Sequence, residues 1–205
     1  MSVPDSYKTI ENPSEGIYKE KGSRFYAFAY SVEQEEEVKN ILFNLRKKYH
    51  DARHHCYAYK LGTGDDRYRT NDDGEPSGTA GKPILGQIHS AGLTNILIVV
   101  IRYFGGTLLG TSGLIRAYRA AAADAIQNGI IMEKKIRKWY KIYFGYPQMN
   151  DVMKLLKEGN LKPMNQNFGE KCELAVAVPL SEIPLFLNRI KVLNNVIPEE
   201  IESLD

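Results

Sequence analysis

From Thr94 to Phe104 the chain reads Thr-Asn-Ile-Leu-Ile-Val-Val-Ile-Arg-Tyr-Phe, apolar at nearly every position. A strand with one wet face alternates apolar and polar residues. A strand without that alternation needs cover on both faces. This run therefore requires a sheet with helices on either side, and the chain offers segments to supply them. Val38, Ile41, Leu42, Leu45 and Tyr49 recur at helical spacing. Acids at 35–37 and bases at 46–48 suit the dipole of that helix, and Ser31-Val-Glu-Gln34 ahead of it has the form of a capping box. A second helix is expected from a Thr79 cap to about Ser90, with Pro83 in its first turn and Gly92 beyond its end. A third is capped by Thr111 or Ser112. It carries Leu114, Ile115, Tyr118, Ala121, Ala122, Ala125 and Ile126 on one side and stops at Asn128-Gly129.

Residues 15–32 read as a hairpin around Lys21-Gly22-Ser23. Residues 52–61 return to strand. Alternation there sends Ala52, His54, Cys56 and Ala58 toward a core and presents Arg53, His55, Tyr57 and Tyr59 on the opposite face. Residues 62–66 form a turn. Beyond Met132 the order becomes β-α-β-β-α-β, with strands at 136–146, 161–168, 172–179 and 193–201 and helices at 150–158 and 181–190. That is the ferredoxin-like split-βαβ order. The expected class is α+β in two domains, 1–132 and 133–205.

With 43% hydrophobic and 25% charged residues among 205, the composition is that of a globular protein with a real core. The longest apolar run is strand-sized, and the first residues lack a basic stretch followed by an apolar one, so neither a membrane span nor a secretory signal is expected. Cys56 and Cys172 fall in strand-like runs and read as buried, reduced thiols of a cytoplasmic protein. The net charge of +2 does not announce nucleic-acid binding. Locally, Lys134, Lys135, Arg137, Lys138 and Lys141 crowd one segment, either a solvated face or a phosphate-contacting stripe. Glu199, Glu200, Glu202 and Asp205 close the chain.

Three loaded segments are expected to converge. Asn71-Asp-Asp-Gly-Glu-Pro-Ser-Gly-Thr-Ala-Gly81 packs acids, glycines and a proline into a shaped loop. Asp51-Ala-Arg-His-His-Cys56 lies upstream, and Arg102-Tyr-Phe-Gly-Gly-Thr-Leu-Leu-Gly-Thr-Ser-Gly113 downstream. Asp72, Asp73 and Glu75 offer oxygen ligands that suit magnesium, though without EF-hand spacing. Alternatively they cap the Thr79 helix and pair with Arg53 or Arg102. His54 and His55 point to opposite faces of a strand and do not share one metal. His55 is the functional candidate and His54 the core one. Ser77 lacks the spacing of a nucleophile elbow, and the Cys56 face is buried. The glycines at 105–113 open a helix whose free N–H groups favour an anion, with Arg102, Arg116 and Arg119 near in sequence. In the blander reading those glycines only let the helix pack tightly.

Asp51-Ala-Arg-His-His-Cys-Tyr-Ala-Tyr59, Asn71 through Leu85 and Val100 through Tyr118 together resemble the YigZ/IMPACT family, in motif order and spacing. The resemblance covers about residues 18–127. The remainder is similar to the small C-terminal domain of bacterial members. It implies a first domain like domain 2 of ribosomal protein S5 and a ferredoxin-like second domain, a pair similar to the last two domains of elongation factor G. Eukaryotic relatives regulate translation by competing in the pathway that activates a kinase of an initiation factor. The resemblance supplies no catalytic residues.

The resulting expectation is a cytoplasmic translation regulator acting through RNA, the ribosome or a translation-regulatory protein. Arg53, His55, Lys82, Arg102 and Arg116 would contact phosphate or ligand, with Gly105 and Gly106 in the anion-binding turn. Tyr57, Tyr59 and Tyr103 would stack on bases. Asp73 and Glu75 would order the basic groups or hold a magnesium, the one cofactor considered. The competing reading is a small-molecule binder or enzyme whose pocket is lined by His55, Asp73, Glu75 and Arg102.

Overall fold

The computed structural model describes residues 5–64, 67–169 and 171–202. Asp65 and Asp66 of the expected turn, Asp205, and residues 1–4 with the leader reading lie outside the described residues. Helix and strand mix in the α+β manner. The chain divides into two compact units, one of Tyr7–Lys134 and one from Lys135 onward joined by Asp5 and Ser6.

The leading unit is built on five strands: β2 (Ser14–Glu20), β3 (Ser23–Ser31), β4 (His54–Lys60), β5 (Tyr68–Asn71) and β6 (Ile96–Tyr103). Their order is β2-β3-β6-β4-β5, every neighbour antiparallel. The apolar run that demanded cover on both faces is β6, at the centre, and Ile96 through Ile101 are fully buried. One face is covered by α1 (Glu35–Lys48), through Val38, Leu42 and Leu45 packed on Phe28, Leu97, Val99 and Ile101. The other is covered by α2 (Gly81–Ser90) and α3 (Gly110–Gln127), packed on Ala27, Ala29, Cys56, Ile98 and Val100. A short strand β1 (Ser6–Ile10) pairs with β7 (Ile131–Lys135) in a separate two-stranded sheet that the sequence pattern did not suggest.

The caps differ from the local sequence signals. The capping box of α1 is formed by Gln34 and Glu37, one turn later than Ser31 and Gln34 suggested. Thr79 does not cap α2; its hydroxyl donates to the carbonyl of Pro76. Neither Thr111 nor Ser112 caps α3, which begins at Gly110 with no side-chain cap at Leu109.

In the trailing unit, β8 (Arg137–Phe144), α4 (Met149–Glu158), β9 (Met164–Phe168), β10 (Cys172–Pro179), α5 (Ile183–Val192) and β11 (Ile197–Ile201) follow one another. The sheet order is β11-β8-β10-β9, all antiparallel. Val152, Leu156, Phe186 and Ile190 of the helices pack on Ile142, Phe144, Leu174 and Val176. No described helix is long and apolar enough to cross a membrane.

Small residues set the spacing of α3 against the sheet. Ala117, Ala121, Ala122 and Ala125 are fully buried, and a Cβ on Gly16 of β2 would stand 2.3 Å from the Ala125 nitrogen. Overpacking a close-packed seam costs about 1–3 kcal/mol. Ala121→Leu is therefore expected to lower the unfolding free energy by about that amount in urea titration, with helix content retained.

Candidate functional site

Aspartate, glycine and proline in one loop give a backbone with many unpaired N–H groups, and the first carboxylate of the loop takes them up. Asp72 Oδ1 accepts from the N–H groups of Ala80 (3.0 Å) and Gly81 (2.8 Å), and Oδ2 from that of Gly78 (2.8 Å). Asp72 thus caps α2 from eight residues upstream of its N-cap. Asp73, with positive φ, accepts the His55 N–H at 2.7 Å through Oδ2 and faces Arg46 Nη2 at 3.3 Å through Oδ1. Its carbonyl lies 2.9 Å from His54 Nδ1.

Glu75 reaches into the core. Its side chain is 4% exposed and that of Arg102 6%, with Arg102 Nη1 2.8 Å from Glu75 Oε1. The same oxygen accepts the Tyr118 hydroxyl at 2.7 Å, and Cys56 Sγ lies 3.2 Å from that hydroxyl. The Arg102 guanidinium sits 5.5 Å from the ring centroids of both Phe25 and Phe104. Burial pushes the Cys56 thiol and the Tyr118 phenol well above their ordinary ranges, so neither is a nucleophile or base near neutral pH. Among the described residues no three His, Cys, Asp or Glu side chains are arranged to hold a metal ion.

The segments at 51–56 and 71–81 do meet, and Arg102 joins them, but they form an internal clasp rather than a cleft. Most polar atoms of His55, Asp73, Glu75 and Arg102 are turned on one another and on the backbone. His55 is buried, 3.9 Å through Nδ1 from Asp73 Oδ2, with Nε2 left without a hydrogen-bond partner, as is Arg102 Nε. Tyr57 and Tyr59, expected to present their rings to a ligand, are buried under α1 and stack on each other at 6.4 Å. Cys56 and Ala58 face the core under α2 and α3 as the alternation implied, but Ala52 packs on the α1 side, His55 rather than the half-buried His54 is the buried histidine, and both faces of β4 are covered.

The remaining candidates lie elsewhere. Arg53 is exposed before β4. Arg116 is exposed and 2.5 Å from Glu20 Oε1, holding that carboxyl below its usual range. Lys82 lines a groove of about 460 Å³ between α2 and α3 with Arg119. Gly105 rests on the hairpin turn, where a Cβ would fall 1.9 Å from the Gly22 carbonyl carbon, and its N–H donates to Ser23 Oγ. Gly106 and Gly110 take positive φ in an exposed turn with Leu108 at its tip. Tyr103 donates to Asp51 Oδ1 at 2.6 Å, a bond that pushes its phenol up to about 12. With Gly22, Arg24, Tyr26, Tyr49 and Phe104 it lines a second groove of about 400 Å³. Of these, Arg24 and Tyr26 fall within the expected hairpin of residues 15–32, but nothing local showed that this end of the strand face stays open. The crowded bases of the trailing segment are largely matched: Lys134 with Glu33, Lys135 with Glu182, Lys138 with Glu200 and Lys141 with Glu173.

The chain is similar to known proteins in sequence and in fold. Residues 21–126 match the model of the Impact N-terminal domain. The IMPACT family member YigZ of Escherichia coli (strain K12) is 36% identical over 81% of this chain and 82% of that protein. The Protein IMPACT homolog of Dictyostelium discoideum is 41% identical over 44% of this chain and 27% of its own length. A solved structure described as the crystal structure of a hypothetical protein superposes with a TM-score of 0.78 at 31% identity, covering 98% of this chain and 100% of that one.

Removing one partner of a buried pair strands the other charge, at about 3–5 kcal/mol. Arg102→Met is expected to cost that much in urea unfolding, and Glu75→Gln with Arg102→Met together less than the sum of the two single changes. Burial also holds His55 below the ordinary imidazole range, against the opposing pull of Asp73. The unfolded chain then takes up this proton first as pH falls below about 6.5. Stability is expected to decline from pH 7 toward 5, and His55→Phe to flatten part of that decline in thermal melts across the range.

Proposed function

This chain belongs to the IMPACT family, and from that premise we propose that it is a cytoplasmic regulator of translation working through RNA or a ribosome-associated partner. The observation that carries the reading is the exposed turn ahead of α3. An 18-residue helix there begins with no side-chain cap and no acid in its first turn. Its first N–H groups and the positive end of its dipole are the elements of an anion site. The turn rests through Gly105 on the hairpin turn that carries Lys21, with Arg24 following, and both are exposed. A phosphate backbone fits that combination. Arg53 and Lys82 are further contacts in this reading, and Arg116 joins them by leaving Glu20.

The kinship supports two finer assignments. The leading unit corresponds to the S5 domain 2-like domain of the family. The trailing unit, with its order β11-β8-β10-β9, corresponds to a ferredoxin-like domain. The competing small-molecule reading loses its support once Glu75 and Arg102 are spent on each other.

The test is fluorescence anisotropy of labelled single-stranded RNA with the full chain across a salt series. Three phosphate contacts give a log–log slope of about −2, a fall of about 20-fold in affinity between 50 and 200 mM salt. A flat response, or no binding at low salt, removes RNA as the ligand.

A further inference from the structure

In antiparallel pairs, residues directly opposite project to the same face, as do residues two apart on one strand. Arg24 is opposite Tyr103 and Tyr26 opposite Ile101, so Arg24, Tyr26 and Tyr103 share the face that α1 covers. The helix ends at Lys48. Past that point the face is walled by Tyr49, whose ring lies 5.4 Å from that of Phe28, rather than by another helical turn. What remains is the open groove of about 400 Å³, with Phe104, 53% exposed, at its rim.

Its rings are held in place by the protein itself. Tyr26 and Tyr103 meet edge to face at 6.0 Å, making a corner of two aromatic planes. Asp51 fixes the Tyr103 hydroxyl, Lys48 Nζ stands 5.2 Å over the Tyr49 ring, and Arg102 backs Phe104 from within. Pre-set rings give up little freedom when an occupant arrives. Such walls suit a flat, π-bearing group, since aromatic side chains stack on any base. The charge narrows the choice. Arg24 is part of the lining, Lys48 is at the wall and Lys21 is on the adjoining turn, three cations against the one carboxylate of Asp51, which stays charged while Tyr103 donates to it. A proline-rich peptide also favours tyrosine grooves, but it has no phosphate for these cations.

We propose that this groove takes an unpaired base of single-stranded RNA, stacked on the Tyr26–Tyr103 corner, with Arg24 on the flanking phosphate. The inference rests on the RNA reading above and replaces the buried Tyr57 and Tyr59 as its stacking surface.

The experiment compares a labelled uridine decamer with an abasic decamer of the same phosphate count, on the full chain and its variants. The abasic strand is expected to bind about tenfold more weakly, the loss of roughly one stacked base. Tyr103→Ala and Phe104→Ala are expected to weaken the uridine strand severalfold to tenfold, and Tyr103→Phe by no more than about twofold, because the ring persists. Arg24→Ala, at an exposed position, should reduce the salt slope by somewhat under one unit. Thermal melts matching the parent show that these variants are folded. If the two strands bind alike, or the Arg24 and Phe104 variants bind uridine as the parent does with its salt dependence intact, the groove assignment is wrong while the RNA reading stands. If no strand binds at low salt, both fall. Binding of a proline-rich peptide instead of RNA, lost in the Tyr103→Ala variant, assigns the groove to a protein partner and overturns the proposal.

Discussion

One buried ion pair, Glu75 with Arg102, determines how the leading unit is put together. Two charges removed from water are costly, and their attraction offsets that cost only when the geometry is right and the remaining polar atoms are served. Here Glu75 Oε1 takes both Arg102 Nη1 and the Tyr118 hydroxyl, and the rings of Phe25 and Phe104 flank the guanidinium. The contribution is less to net stability than to uniqueness. An alternative path for the loop would leave a carboxylate or a guanidinium stranded among apolar side chains. Asp72 and Asp73 tie down the same loop on either side, on the backbone at the start of α2 and on β4. A stretch rich in glycine, which would otherwise be loose, is held at three points.

The sequence was most legible where the physics is local. A continuous apolar run meant a strand covered on both faces, and β6 is that strand. Helical spacing placed α1, α2 and α3, and residue alternation separated Cys56 and Ala58 from Tyr57 and Tyr59. What alternation cannot say is which face another element will cover. Tyrosine and histidine beside an arginine read as a wet surface, yet α1 lies over Tyr57 and Tyr59, because a ring offers as much apolar area as an aliphatic side chain. The acids of the 71–81 loop were expected either to hold a cation or to cap the second helix and pair with an arginine, and Asp72 and Glu75 take the second course. Capping motifs are sought within a few residues, and the Asp72 cap acts across a loop. The pairing of β1 with β7 joins the two ends of the leading unit, and no window along the chain contains both strands.

Charge shows the same contrast between composition and placement. The segment from Lys134 to Lys141 is the most basic in the sequence, but four of its lysines meet glutamates from other elements. Lys21, Arg24 and Arg53 are scattered in sequence, yet each is exposed on the leading unit. A run of bases makes a basic surface only if the fold does not supply acids opposite it. A nearly neutral chain can therefore carry a local cationic rim.

The buried pair and the open groove are two sides of one strand end. Arg102 and Tyr103 are consecutive on β6, so they project to opposite faces. Arg102 is opposite Phe25, on the side of α3, and Tyr103 is opposite Arg24, on the side of α1. A one-residue slip would exchange the two faces, setting a guanidinium among the tyrosines and a phenol against Glu75. The ion pair makes that slip costly and so fixes the register in which Tyr103 meets Tyr26. Phe104 is shared by both sides, since its ring covers the Arg102 guanidinium while it forms part of the groove wall. The acidic loop, offered by its residues as a binding element or as caps and ion-pair partners, thus reaches both faces of the sheet, through Glu75 to Arg102 and through Asp73 to Arg46 of α1. It holds Arg102, and by holding Arg102 it keeps the aromatic surface of Tyr26, Tyr103 and Phe104 in shape.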